Sequence, residues 1–244
     1  MELKDWQQNW NELGKDDPLW VVISEPSKKG GRWDPKEFFE GGRNEIRGVL
    51  ADMEKLNIKI SFGRVLDFGC GVGRLSQALS HHFNEVHGVD ISPSMVGHAN
   101  GFNQFPGRCT YHINASNSLP MFPANHFDFV YSALVLQHIE PRFAKNYIRE
   151  FLRVVKPGGT VVFQILQPVF WRGLIPESAI AAYRRLKHGN KAFIGMFGIP
   201  GKEMAALLNE CGATTLHVIP LFCDSSRYLS FQYVVSKPRT GVQG

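Results

Sequence analysis

Apolar residues recur along this chain at two spacings, and the change between them falls near residue 60. Before it, Trp6, Trp10 and Leu13, and later Ile46, Val49, Leu50, Met53 and Leu56, return every three or four positions. That is the period of a helix with one buried stripe. Ser27 to Trp33, rich in Lys and Gly, reads as a loop between the two stripes, and Pro35 is placed to open the second helix. Phe38 and Phe39 give way there to Gly41-Gly42.

From Arg64 onward, short apolar runs alternate with helical stripes. Val65–Phe68, Val86–Val89, Thr110–Ile113, Phe127–Ser132, Thr160–Leu166, Thr214–Ile219 and Leu229–Ser236 are the predicted strands. Between them come helices: one carrying Leu75, Ala78, Leu79 and Phe83, one capped by Ser92-Pro93, and one opened by Pro141 with Phe143, Tyr147, Phe151 and Val155 on one face. Lys156-Pro157-Gly158-Gly159 is expected to stop that last helix. Lys202–Cys211 forms a final amphipathic helix, ended by Gly212. The alternation predicts an α/β fold, a doubly wound, mostly parallel seven-stranded sheet with an N-terminal helical lid. The expected division is a lid over residues 1–59 and a sheet domain over 60–244, with a cap inserted at 167–199.

Composition narrows the class. Of 244 residues, 43% are hydrophobic, enough for a sizeable core. No apolar run approaches the roughly 18 residues of a membrane-spanning helix, and the polar first ten residues do not read as a secretion signal. Cys70, Cys109, Cys211 and Cys223 form no Cys-x-x-Cys pair, so reduced thiols and a cytoplasmic location are expected. The net charge of +5 is uneven: residues 142–191 hold ten basic and two acidic side chains, which leaves the remainder near −3. Such a stretch reads as a solvated face or as a site for an anionic substrate or partner.

Candidate chemistry concentrates at Val65-Leu66-Asp67-Phe68-Gly69-Cys70-Gly71-Val72-Gly73-Arg74-Leu75, a buried strand running into a glycine-rich turn and a helix. Ligands of doubly wound sheets bind at the carboxyl ends of such strands. Gly69 and Gly71 let backbone approach a ligand closely. The spacing is Gly-x-Gly-x-Gly, not the Gly-x-Gly-x-x-Gly of dinucleotide loops. Asp67 would repel a pyrophosphate but suits an ammonium group. Asp90 follows at the end of the second strand, where an acid hydrogen-bonds ribose hydroxyls.

VLDFGCGVGRLS (65–76), VHGVDIS (86–92), LPMFPANHFDFVYSALVLQHI (119–139) and RVVKPGGTVVF (153–163) resemble, in order and spacing, the motifs of the class I methyltransferases that use S-adenosyl-L-methionine. The resemblance covers about residues 60 to 236. It implies methyl transfer to a small-molecule acceptor through an O, N, S or C nucleophile. Asp67, Gly69, Cys70, Gly71 and Gly73 would hold the methionine part of the cofactor. Asp90 would bind the ribose, with Ile91 and Met95 against the adenine and Asn114-Ala115-Ser116 at its edge. Many relatives carry an acid at that edge; here Asn114 or Ser116 would substitute. Ser132 would face the methionine end. In the similar ubiquinone-type O-methyltransferases, acids that bind a metal stand where this chain has Leu134 and Gln137, so no metal is expected.

His138 is either a general base or a structural histidine at a helix start. Among the N-terminal aromatics, Trp6 and Trp10 read as ordinary packing, whereas Trp33, Phe39 and Arg43, flanked by glycines, read as a lid over the cofactor. Gln137, Phe170, Trp171, Arg184, Met196 and Phe197 are the expected substrate contacts. Arg184 and its basic neighbours would favour an acidic acceptor. Nucleic acid is the rival acceptor, disfavoured because no Asn-Pro-Pro-Tyr segment ends the fourth strand; a non-catalytic cofactor-binding subunit and a nicotinamide oxidoreductase are further alternatives.

Overall fold

Strand residues alternate between two cores, and this alternation builds the sheet. Leu66 and Phe68 face one apolar cluster while Val65 faces another, and Val130 is likewise set against Phe129 and Tyr131. Burial on both faces is what a mostly parallel sheet requires. The computed structural model describes residues 3–169, 195–222 and 227–239. Within them lie β1 (Arg64–Phe68), β2 (Glu85–Asp90), β3 (Cys109–Ile113), β4 (Phe127–Ser132), β5 (Val155–Pro168), β6 (Thr214–Leu221) and β7 (Tyr228–Ser236). Their order is β3-β2-β1-β4-β5-β7-β6. The first five strands run parallel, and β7 is antiparallel to both β5 and β6. The chain works outward from β1 to β3 and then returns to β4. The carboxyl ends of β1 and β4 therefore flank the topological switch point.

Helices α1 (Leu3–Asp16), α2 (Pro18–Val22), α3 (Pro35–Lys55), α4 (Arg74–Leu79), α5 (Pro93–Phe102), α6 (Pro141–Val154) and α7 (Gly201–Glu210) surround the sheet. The Ser92 hydroxyl caps α5 by accepting from Met95 N, and Gly212, with φ of 65°, follows α7 in the left-handed region. The cap segment expected at 167–199 falls mostly outside the described residues. No helix among the described residues is long and apolar enough to cross a membrane.

Helix α3 runs through Gly41-Gly42 for 21 residues, with Asp34 as its N-cap, and two local expectations beyond it are corrected. Gly42 serves packing: a Cβ there would lie 2.8 Å from the carbonyl oxygen of Arg74. Backbone cannot yield as a side chain can, so Gly42→Ala is expected to destabilise the fold by about 1–3 kcal/mol, read from the midpoint of urea unfolding. Helix α6 ends just before Lys156–Gly159 as expected, but the strand starts earlier than Thr160: β5 begins at Val155, which pairs with Phe127. Finally, the basic stretch is neutralised wherever it is described. Arg142 pairs with Glu140, Lys145 with Glu203, Arg149 with Glu210, Arg153 with Glu150 and Lys156 with Asp128. Two of those acids come from α7, far along the chain.

Candidate active site

The turn after β1 is shaped by three glycines in the left-handed region: Gly69 (φ 77°), Gly71 (φ 52°) and Gly73 (φ 83°). Their reasons differ. A Cβ on Gly69 would collide with Val135, and one on Gly73 with the Tyr111 ring, so these two let the turn fit its neighbours. Gly71 lines a cleft of about 530 Å³ above the switch point, and a Cβ on it would reach within 2.9 Å of Val22 across that space. Gly69, Cys70, Gly71, Asp67, Asp90, Ile91, Met95 and Asn114 all line this cleft, although they come from four separate segments. Gly73 does not.

Asp90 ends β2 with its carboxylate anchored at both oxygens, accepting from Gly71 N at 2.9 Å and from Ser92 N at 2.9 Å. It therefore ties the glycine turn to the start of α5. Asp67 lies deeper, 1% exposed, accepting from the Ser76 hydroxyl at 2.5 Å. Burial pushes its carboxyl up to about 7, against the lowering influence of Ser76 and of the Arg74 charge.

At the supposed adenine edge the side chains are already committed. Asn114 Nδ2 donates to the carbonyls of Ser116 and Ser118, and its Oδ1 accepts from Ser116 N. The Ser116 hydroxyl bonds that of Ser118, and Ala115 is exposed. The turn is thus knitted to itself, and of the three residues expected at this edge Asn114 lines the cleft whereas Ala115 and Ser116 do not. Ser132 is buried and donates to the Phe68 carbonyl, bracing β4 on β1 instead of facing the cleft.

The lid expectation is reversed. Trp33 donates to the Ile23 carbonyl and packs on Phe38, and Arg43 pairs with Glu40; neither lines the cleft. Trp6 and Trp10 do line it. They are held there because α1 docks on the loop behind Asp90: Gln7 Nε2 donates to the Ile91 carbonyl at 3.0 Å, and Asn11 Oδ1 accepts from Ser94 N at 2.9 Å. Trp6 meets Phe197 edge-on at 5.7 Å and Trp10 meets His138 at 5.5 Å; Phe197, expected as a substrate contact, packs on Trp6 and does not line the cleft. Sequence periodicity could not distinguish this from ordinary packing, because a stripe facing a cleft and a stripe facing a core look alike.

On the far side, the 3₁₀ turn Leu136–His138 carries Gln137 and His138, both lining the cleft with Met196. His138 Nδ1 lies 2.6 Å from the Gly195 carbonyl oxygen. A carbonyl only accepts, so Nδ1 carries the hydrogen and Nε2 presents its lone pair, which meets the Gln137 amide nitrogen at 3.1 Å. Burial holds the imidazole below its ordinary value, with the Gly195 bond opposing. Phe197 N donates to the Gln137 carbonyl at 2.7 Å, which fastens the 195–199 segment to this turn. Phe170, Trp171 and Arg184 lie outside the described residues.

A methyltransferase domain model matches residues 66–163. The demethylmenaquinone methyltransferase of Bacillus pumilus is 30% identical over 196 residues, covering 69% of this chain and 77% of that protein. The ubiquinone biosynthesis O-methyltransferase of an Azoarcus species is 27% identical over 139 residues; this chain spans 58% of its length, and the match covers 57% of this chain. The crystal structure of magnesium protoporphyrin IX methyltransferase from Synechocystis superposes with a TM-score of 0.64 at 20% identity, over 96% of this chain and 99% of that one. With the sheet order and the glycine turn, these findings establish that the chain belongs to the class I S-adenosylmethionine-dependent methyltransferases. It is an enzyme whose cofactor is S-adenosylmethionine.

Proposed function

We propose that this chain methylates a small, uncharged, largely apolar acceptor bearing an ionisable hydroxyl or amine, with His138 as the proton acceptor. The observation that carries this reading is that one continuous cleft is lined by both the Gly69–Gly71 turn and His138. The cofactor fits the near end by the chemistry of its donor set. Asp90, fixed by two backbone N–H groups, suits a ribose diol; Asp67 suits the ammonium group; Ile91 and Met95 supply an apolar bed for the base. A side chain at Gly71 would fill the space between turn and lid. When bound, the cofactor supplies a methyl group made electrophilic by the sulfonium charge.

Around His138 the cleft is walled by Leu3, Trp6, Trp10, Ile139 and Met196, with Gln137 and His138 as hydrogen-bonding groups. Among the described residues no lysine lines it, and the basic residues described nearby on α6 are paired with acids. An uncharged acceptor suits that wall better than the anionic one the charge distribution suggested. The quinone- and hydroquinone-directed relatives support the same class. The protein's part is to hold acceptor and methyl in line and exclude water, while His138 takes the proton through Nε2 once the acceptor displaces the Gln137 amide from that lone pair. Incubation with isotopically labelled cofactor and a panel of phenols, hydroquinones and amines, read by mass spectrometry, tests it. Transfer only to carboxylates, phosphates or nucleic acid would refute the reading.

Asp67 makes cofactor binding pH-dependent. Below about 7 its carboxyl is protonated and cannot pair with an ammonium group; above it the carboxylate can. Affinity is expected to rise as pH increases from 6 to 8, with a proton released on binding. Calorimetry in buffers of differing ionisation enthalpy measures both. A flat affinity and no proton release would remove Asp67 from the ammonium site.

A further inference from the structure

A second, smaller pocket of about 260 Å³ opens at the other end of the sheet. Lys59 and Ser61 line it ahead of β1, Asp128 near the start of β4, the Lys156–Gly159 turn of β5, and Arg239 beyond β7. It therefore lies at the amino ends of β1 and β4, whose carboxyl ends flank the cleft. Lys59, Lys156 and Arg239 converge there from segments far apart in the chain. The one acid of the described wall, Asp128, is already engaged: Oδ1 accepts from Lys156 Nζ at 2.7 Å and Oδ2 from Arg64 N at 2.7 Å. Lys59 and Arg239 have no acidic partner among the described residues. Arg239 is placed by the turn it crosses. Gly158 N donates to the Lys237 carbonyl at 2.7 Å, and a Cβ on Gly158 would lie 2.8 Å from Arg239 Nε. The missing side chain is what lets the arginine lie against the turn.

We propose that this pocket binds the phosphate group of a small molecule, independently of the methyl-transfer cleft. Cations gathered without a counter-ion repel one another, and a bound anion relieves that repulsion. The charge selects the anion. A phosphate ester carries about −1.5 to −2 at neutral pH, which matches the two uncompensated cations, whereas a carboxylate leaves one of them unmatched. The arginine fork suits phosphate oxygens and the lysine adds a point charge. The Ser61 hydroxyl, without a partner among the described residues, adds a donor. The volume falls below the roughly 300 Å³ at which pockets begin to enclose a whole drug-sized ligand, so the phosphate enters and the rest of the molecule stays at the mouth. A nucleic-acid backbone would call for a groove that tracks it. Lys59 and Arg239 both lie outside the basic stretch at 142–191, so the charge count along the chain held no sign of this site.

The test is calorimetric titration of the full chain with inorganic phosphate at low ionic strength, where exposed charges are least screened. The native chain is expected to bind one phosphate saturably, and acetate about tenfold more weakly or worse. Lys59→Gln combined with Arg239→Gln is expected to weaken phosphate binding by about tenfold, the scale of two charge-assisted contacts discounted for their exposure. Lys55→Gln, which alters an exposed lysine outside the pocket, should leave the affinity unchanged. Saturating S-adenosylmethionine should leave it unchanged as well, since cleft and pocket share no residue. Equal affinity in the native chain and the double variant would mean an adventitious ion only and overturns the proposal. So does a native chain that binds no phosphate, displacement of phosphate by S-adenosylmethionine, or a short DNA duplex that competes more strongly than phenyl phosphate. Both altered side chains are exposed, so the double variant is expected to fold. Should it not, Lys59→Gln alone decides: a loss of about threefold supports the site, and an unchanged affinity overturns it.

Discussion

Replacing His138 by alanine is expected to lower kcat by about 10²- to 10⁴-fold, the range of a positioned general base. The affinity for S-adenosylmethionine should stay within about twofold, because His138 makes none of the hydrogen bonds that hold Asp90 or the glycine turn. The direction of the pH dependence follows from its surroundings. Burial lowers the imidazole pKa, so the neutral, proton-accepting form persists to lower pH than for a free histidine. The native rate should therefore hold through neutrality and fall only on the acid side, below the ordinary imidazole range. In His138→Ala that acid limb should disappear, and the deficit should shrink as pH rises and the acceptor ionises unaided. An alanine variant with the native rate and the native pH profile would leave His138 a structural residue, bonded to Gly195 and packed on Trp10.

Asp90→Ala is expected to weaken cofactor binding by roughly 100-fold or more, measured by calorimetry on the folded variant. The ribose bonds alone would account for about 1.5–3 kcal/mol, or 10- to 150-fold. The structure adds a second loss. Asp90 also accepts from Gly71 N and Ser92 N, so its removal leaves the glycine turn and the start of α5 without their common anchor. Asp90→Asn separates the two contributions. Its remaining carbonyl oxygen can keep one backbone bond, so its loss should fall between those of the native chain and the alanine variant. Equal affinity in native chain and Asp90→Ala would exclude Asp90 from the cofactor site.

The parts of this site that could be read from the sequence are those carried by short, local patterns. The strand–glycine–helix run at 65–76 and the acid at 90 were legible because turn geometry and strand ends leave their mark within a few residues. The committed side chains at 114–118 were not, since a serine or asparagine looks the same whether it faces a ligand or bonds its own turn. The lid was misassigned for a related reason. Glycines near Trp33 suggested movement, but the docking of α1 depends on Gln7 and Asn11 meeting the β2–α5 turn more than 80 residues away.

Sequence alone determined the α/β class, the seven strands and the placement of the glycine turn, because hydrophobic period and turn residues act over distances shorter than one element; the family was legible through the resemblance of its four motifs. Tertiary structure decided everything that depends on which distant groups share a boundary. It brought Trp6 and Trp10 into the cleft wall and directed the Nδ1 hydrogen of His138 to Gly195. It neutralised half of the basic stretch with acids from α6, α7 and β4, and it buried Arg74 between Glu45 and Phe38. Charges and hydrogen-bond donors must be satisfied wherever folding removes them from water, and the partner that satisfies each one is chosen by packing, which no local pattern records.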